Sequence, residues 1–345
     1  MSEPDHAALA DRFRRFAERE CRGISPLYHA IALGVAEDPA LLALASARRD
    51  GQPPANMLLG AVHALLLQGP DDEPLAAFYP SLTATPAPAD GAFPAFQAFC
   101  RRHADKIAEI LRTRVVSTNE VQRCACLLPG FAAVAEMTDA PLHIIEIGAS
   151  AGLNLFWDHY GYDYGTAGFV GDPEAPLILR CTLRGRAPTL PRRLPAVASR
   201  IGIDPVPLDP ADPADVAWLR ALIWPEQHER AVRLETAAAI AARLRPTLLA
   251  GDGQARLPEA LDAIGADEPI CLVHSFTLNQ FAVEARSAFL AQLDRLGELR
   301  MLYRLGLEWG AAEAPALTLT HHGEGMPESR RLALCDAHGA WIGPP

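Results

Sequence analysis

The feature that most restricts what this chain can fold into is one run, Leu142–Leu155, reading LHIIEIGASAGLNL. LHIIEI is predominantly apolar, as expected for a central parallel strand covered on both faces rather than a half-exposed hairpin strand. Gly148-Ala149-Ser150-Ala151-Gly152 follows with no linker, and the next residues predict a helix over Leu153–Tyr160. A strand, a glycine-rich bend and a helix start in direct succession leave unpaired backbone N–H groups where few side chains intervene. A ligand can approach such a surface closely.

The pattern on either side of this run differs. Before it, apolar residues recur at helical spacing, as at Leu9, Phe13, Phe16 and Ala17 in Ala7–Cys21. Ser25-Pro26 and Asp38-Pro39 each pair a capping side chain with a proline suited to a first turn. Asn56 is placed to cap the buried helix MLLGAVHALLL, Phe78–Pro94 reads as a loop, and a long helix is predicted from about Thr118 to Glu136. After Pro141, strands at Val197–Ile203, Thr247–Ala250, Ile270–His274 and Arg300–Leu307 alternate with helices near 213–223, 226–244, 255–264 and 283–296. The tail reads as an antiparallel pair, and Gly161–Pro195 reads as an insertion with a β-like run at Leu177–Leu183. The chain is thus expected to hold an all-helical N-terminal region (1–137) and an α/β domain (138–345), with the insertion at about 161–195. The sheet should be doubly wound, seven-stranded and mostly parallel, because crossovers are right-handed.

Composition narrows the chemistry. The 345 residues carry a net charge of -11, which disfavours a nucleic-acid backbone as partner. Lys106 is the single lysine and lies in a helical pattern, RRHADKIAEI, with no glycine-rich loop before it. A phosphate-binding P-loop or a Schiff-base lysine is therefore excluded. The N-terminus lacks a basic-then-apolar leader, and the longest apolar run, Met57–Leu67, is too short to span a bilayer. Seven cysteines, an odd number, suggest reduced thiols, so a cytoplasmic location with no membrane partner is expected. Neither Cys124-x-Cys126 nor the Cys335, His338, His321 and His322 group makes a complete metal set, and no metal is expected.

Glu146-x-Gly148-x-Ser150-x-Gly152 resembles the acidic-x-Gly-x-Gly-x-Gly turn of class I S-adenosylmethionine-dependent methyltransferases, with Ser150 in place of the middle glycine. Asp204 and Asp252 end the next two strands, where such enzymes hold the ribose and the adenine amino group. The resemblance implies a Rossmann-like fold with S-adenosylmethionine as cofactor, bound by Glu146, Gly148, Ser150, Gly152, Asp204 and Asp252. Asn119 and Arg123, four apart and so sharing a helical face, would meet a small-molecule acceptor together with His274, the candidate proton acceptor. Glu308 and Trp309 end the last parallel strand and would line the same cleft.

The same turn also spells G-x-S-x-G, the nucleophile elbow of a serine hydrolase, with Ser150 as nucleophile and Asp252 plus His274, His321 or His322 as partners. A third reading is a binding module that keeps the fold without catalysis. Over nearly its whole length the chain also resembles an uncharacterised bacterial family of domains of unknown function. The matching segments are Ser25–Tyr28 (SPLY), Gly51–Leu59, Arg112–Pro129, Glu146–Leu155, Trp224–Gln227 (WPEQ) and His274–Phe281. That resemblance brings no reaction with it.

Overall fold

The helices of this computed structural model, which describes residues 3–69, 73–186, 188–323 and 325–345, begin with α1 (Glu3–Phe16), α2 (Pro26–Ala36), α3 (Pro39–Ala45) and α4 (Pro54–Gln68). They continue with α5 (Ala92–Arg102), α6 (Ala104–Thr113), α7 (Cys124–Thr138), α8 (Pro213–Ala221), α9 (His228–Leu244), α10 (Gly253–Asp262) and α11 (Val283–Gly297). Contacts divide the chain into two units, Met1–Thr118 with Pro213–Val232, and Asn119–Asp212 with Arg233–Pro345.

In the helical unit the sequence signals act locally. Ser25 Oγ accepts from Tyr28 N (3.0 Å) and Asp38 Oδ1 from Ala40 N (2.8 Å), with a proline in each first turn. The third expected cap is different. α4 starts at Pro54, so Asn56 lies inside it, because proline fits the first turn and sets the start earlier. The segment 213–232 completes this core from far along the chain. Trp218 Nε1 donates to Val115 O (2.8 Å), Asp215 pairs with Arg114, and Trp224 sits edge-on to both Phe16 and Tyr28 at 5.8 Å.

The other unit is mixed α/β. Its strands are β1 (Leu142–Ile147), β2 (Gly161–Asp163), β3 (Phe169–Val170), β4 (Ile178–Arg180), β5 (Thr182–Leu183) and β6 (Val197–Asp204). Then come β7 (Thr247–Ala250), β8 (Ile270–Ser275), β9 (Leu302–Glu308), β10 (Ala316–His322), β11 (Glu328–Cys335) and β12 (Trp341–Gly343). The large sheet has nine strands in the order β5-β12-β11-β10-β9-β8-β1-β6-β7, not the seven expected. The five strands at one end of this order, β9, β8, β1, β6 and β7, are parallel, and β10, β11 and β12 continue the sheet antiparallel toward its other end. The two strands beyond those expected in this sheet are β5, from the β-like run read within the insertion, and β12; they are two and three residues long, too short to show a two-residue period.

The insertion forms a second, three-stranded sheet, β3-β2-β4. The run Leu177–Leu183 is split at Cys181, with one half in the small sheet and the other on the edge of the large one. One core packs Ile145, Ile147, Ile203, Ile270, Leu272 and Leu302 against Leu257 and Leu261 of α10 and Phe289 and Leu293 of α11. On the opposite face Phe131 of α7 stacks on Trp157 at 4.3 Å. Among the described residues no single helix is long and apolar enough to cross a membrane.

Candidate functional site

β1 lies between β6 and β8, parallel to both, with Ile147 opposite Ile203 on one side and His274 on the other. That register brings the carboxyl ends of all three strands to the glycine bend. The bend folds tightly: Gly148, Ser150 and Gly152 have φ of 76°, 55° and 70°. Ser150 therefore holds a left-handed conformation that disfavours a side chain. Thr277 packs against Gly148, and its Oγ1 donates to Ile147 O (3.0 Å).

The N–H groups of the bend serve the protein itself. Gly148 N and Ala149 N donate to Ile203 O, Gly152 N donates to Ala149 O, and Ser150 N donates to Asp204 Oδ2 (2.8 Å). Asp204 Oδ1 also accepts from Val206 N (2.9 Å). Ala149, Ser150, Ala151 and Gly152 are buried. The expected helix after the bend is instead a kinked 3-10 segment, Leu153–His159, with Phe156 at φ -101° and ψ 24°. Its aromatic and aliphatic side chains, Leu153, Leu155, Phe156 and Trp157, are all buried, so packing rather than helical periodicity sets its path.

Glu146 is 3 % exposed at the end of β1. Its Oε1 accepts from Asn154 Nδ2 (3.4 Å), while Oε2 has no hydrogen-bond partner. Burial pushes its pKa up to about 8. Nearby Asp204 adds to the rise, while the Asn154 bond and the Arg123 charge oppose it.

The expectation that Asn119 and Arg123 share a helical face is corrected by the structure. Glu120 caps a 3-10 turn, Val121–Arg123, so Asn119 lies outside any helix. Asn119 Oδ1 instead accepts from Leu153 N (3.2 Å), tying this segment to the residue after the bend. Arg123 is buried, donates through Nε to Ala337 O (2.9 Å) and lies 4.2 Å over the Phe276 ring. Phe276 (φ 54°) in turn meets Trp309, which is 47 % exposed.

His274 is 1 % exposed, and both its ring nitrogens are engaged. Nε2 faces Arg304 Nη1 (3.3 Å), which can only donate, so Nδ1 carries the proton and donates to Glu308 Oε1 (2.7 Å). Burial, helped by Arg304, lowers the pKa of this histidine. Glu308 Oε1 also accepts from Thr277 N (2.9 Å) and Leu278 N (3.0 Å), and Oε2 from Asn279 N (3.3 Å). Burial alone would raise the Glu308 pKa, but these bonds and His274 win and lower it. Arg304 continues the network to Thr320 and Ser329. Sequence reasoning missed this network, although Arg304 and Glu308 stood out as charges four apart in the apolar strand LYRLGLE.

Asp252 ends at the same rim but is exposed and caps α10 through Ala255 N (3.1 Å). His322 pairs with Asp294 (2.9 Å), and His321 stacks on Tyr303 at 4.8 Å. The structure thus gathers Glu146, Ser150, Asp204, Asn119, Arg123 and His274 around the bend and leaves Asp252 as a cap beside it. No group of metal-ligating side chains suited to an ion occurs among the described residues, and the seven cysteines are unpaired and buried. A family model described as "Uncharacterized protein conserved in bacteria (DUF2332)" matches residues 10–343. Comparison with curated proteins and with solved structures gave no match.

Proposed function

The chain belongs to this bacterial family, and on that premise we propose that its α/β unit binds S-adenosylmethionine at the carboxyl edge of β1 and acts as a methyltransferase on a small molecule. The strand order supports a Rossmann-like reading. The chain runs from β1 outward through β6 and β7, then returns to build β8 and β9 on the other side. In open α/β sheets ligands bind where the order reverses in this way.

Glu146 carries the proposal. It is a buried carboxyl at the end of the central strand with Oε2 unpartnered. Leaving such an atom without a partner costs about 1–3 kcal/mol, which a ligand ammonium would offset. Arg123 acts on the same carboxyl and supplies the opposite sign for a ligand carboxylate, so the pair matches an α-amino-acid end. Asp204 accepts two backbone N–H groups and has lone pairs left for a ribose hydroxyl. The acidic groups therefore fit the cofactor. Ala149–Gly152 are buried and the N–H groups of Gly148, Ala149, Ser150 and Gly152 bond within the protein, so the carboxyls around the bend, not the bend itself, would hold the ligand.

Bound S-adenosylmethionine would supply an activated methyl group on a sulfonium sulfur. The protein's part is orientation: Glu146 and Arg123 fix one end of the ligand, Asp204 the middle, and Asn119 holds the segment after the bend. His274 acts through Glu308 on the 277–279 turn, since both its ring nitrogens are bonded within the protein and neither is open to a substrate.

Calorimetry tests the reading. S-Adenosylmethionine and its demethylated product should bind to the folded protein. Because Glu146 holds a proton at neutral pH, binding an ammonium there should release one, so heats should differ between buffers of unequal ionisation enthalpy. Glu146→Gln should abolish that proton and weaken binding at least ~10-fold. No saturable binding at ~1 mM would overturn the proposal. That outcome would favour a second reading, a scaffold without this cofactor, which the burial of Ala149–Gly152 supports.

A further inference from the structure

The SPLY and WPEQ segments meet within the helical unit. Ser25 Oγ donates to Glu226 Oε1 (2.7 Å) while accepting from Tyr28 N (3.0 Å). Tyr28 stands edge-on to Tyr79 at 6.4 Å and to Trp224 at 5.8 Å between ring centroids. Three polar atoms here are buried without a hydrogen-bond partner: Tyr28 Oη, Tyr79 Oη and Glu226 Oε2. Tyr28 and Tyr79 are 3 % and 0 % exposed, so bulk water does not satisfy them. The carboxylate lies close enough to act electrostatically on both phenols, and burial together with this charge holds both protonated. Buried polar atoms ordinarily find partners, and these three, on segments far apart in sequence yet within electrostatic reach of one another, mark a place suited to a guest.

Their chemistry selects the guest. We propose that Glu226, Tyr28 and Tyr79 form a binding site for a primary ammonium group, distinct from the site at β1. An ammonium has three N–H donors and no acceptor, which matches three oxygen acceptors, one of them anionic. Trp224, edge-on to Tyr28, is the aromatic neighbour through which a bound cation can be read. His63 does not compete as a resident cation. Its Nδ1 meets Ala221 O (2.9 Å), its Nε2 meets Ser81 Oγ (2.8 Å), and burial lowers its pKa to about 4. A surface cavity of about 470 Å³ is lined by residues 80–84, Pro86 and His228, which directly follow Tyr79 and lie two residues past Glu226. A quaternary ammonium, with no N–H, would leave the three oxygens unsatisfied.

The test is an NMR titration of the full chain with methylammonium chloride at constant ionic strength, read on the indole N–H signals with Trp224→Phe to assign Trp224. The titration should run to ~100 mM, because so small a ligand is held weakly. Saturable shifts of Trp224, at least ten-fold weaker with tetramethylammonium and with Glu226→Gln, are expected. Tyr79→Phe, which removes only a hydroxyl, should weaken binding several-fold with an unchanged melting temperature, and serves if Glu226→Gln does not fold. No saturable shift in the folded protein, equal affinity for tetramethylammonium, or binding indifferent to both substitutions would each overturn the proposal.

Discussion

A carboxyl closed off from water at Glu146 holds its proton to about pH 8, whereas the same group in the unfolded chain ionises near 4.5. Between those values the folded state binds the extra proton. The contribution to stability is therefore full below about 4.5 and is lost as pH rises toward 8. Glu146→Gln should flatten that fall, leaving the variant more stable than the parent at pH 8 by up to a few kcal/mol, at roughly 1.4 kcal/mol per unit. Identical pH slopes in chemical denaturation of the two proteins would refute it.

Glu308 has the opposite sign. Its folded pKa is lowered, so its contribution is present above the ordinary 4.5 and is lost as pH falls through the depressed value. Glu308→Ala would strip the acceptor from His274 and from three backbone N–H groups. A loss of roughly 3–5 kcal/mol is expected at neutral pH, visible as a clear drop in melting temperature.

At the scale of the element, the bend between β1 and the 3-10 segment depends on a missing side chain. Gly148 has φ 76°, and a Cβ there would run into Thr277. Gly148→Ala should destabilise by roughly 1–3 kcal/mol through strain and clash. Gly310→Ala, where a Cβ meets nothing within 4 Å, should be near neutral. Equal melting temperatures for the two variants would remove the close packing of Thr277 on the bend. The acids at the ends of β1 and β6 were legible because strand-end positions follow from a local pattern. The role of Asn119 was not, because its partner Leu153 lies 34 residues away.

For the whole molecule, the helical unit is discontinuous in sequence. Residues 213–232 bring Trp218, Trp224 and Asp215 to the first unit's core. A fragment ending at residue 137 should therefore melt without a cooperative transition, whereas the full chain unfolds cooperatively. A sharply melting fragment, followed by near-ultraviolet circular dichroism, would show that the core does not need that segment.

By itself the sequence determined the local grammar: proline-led caps at Ser25 and Asp38, the central strand with its glycine bend, and the alternation that makes the second unit α/β. These follow from spacing and backbone preferences within a few residues. Only the tertiary structure decided the nine-stranded order with its two short strands β5 and β12, Asp204 closing on Ser150 N, His274 locked between Glu308 and Arg304, and Glu226 bonded to Ser25. Each of those joins groups tens to hundreds of residues apart. Such pairs form because a buried polar atom must find a partner wherever the fold brings one, and no local period records that need.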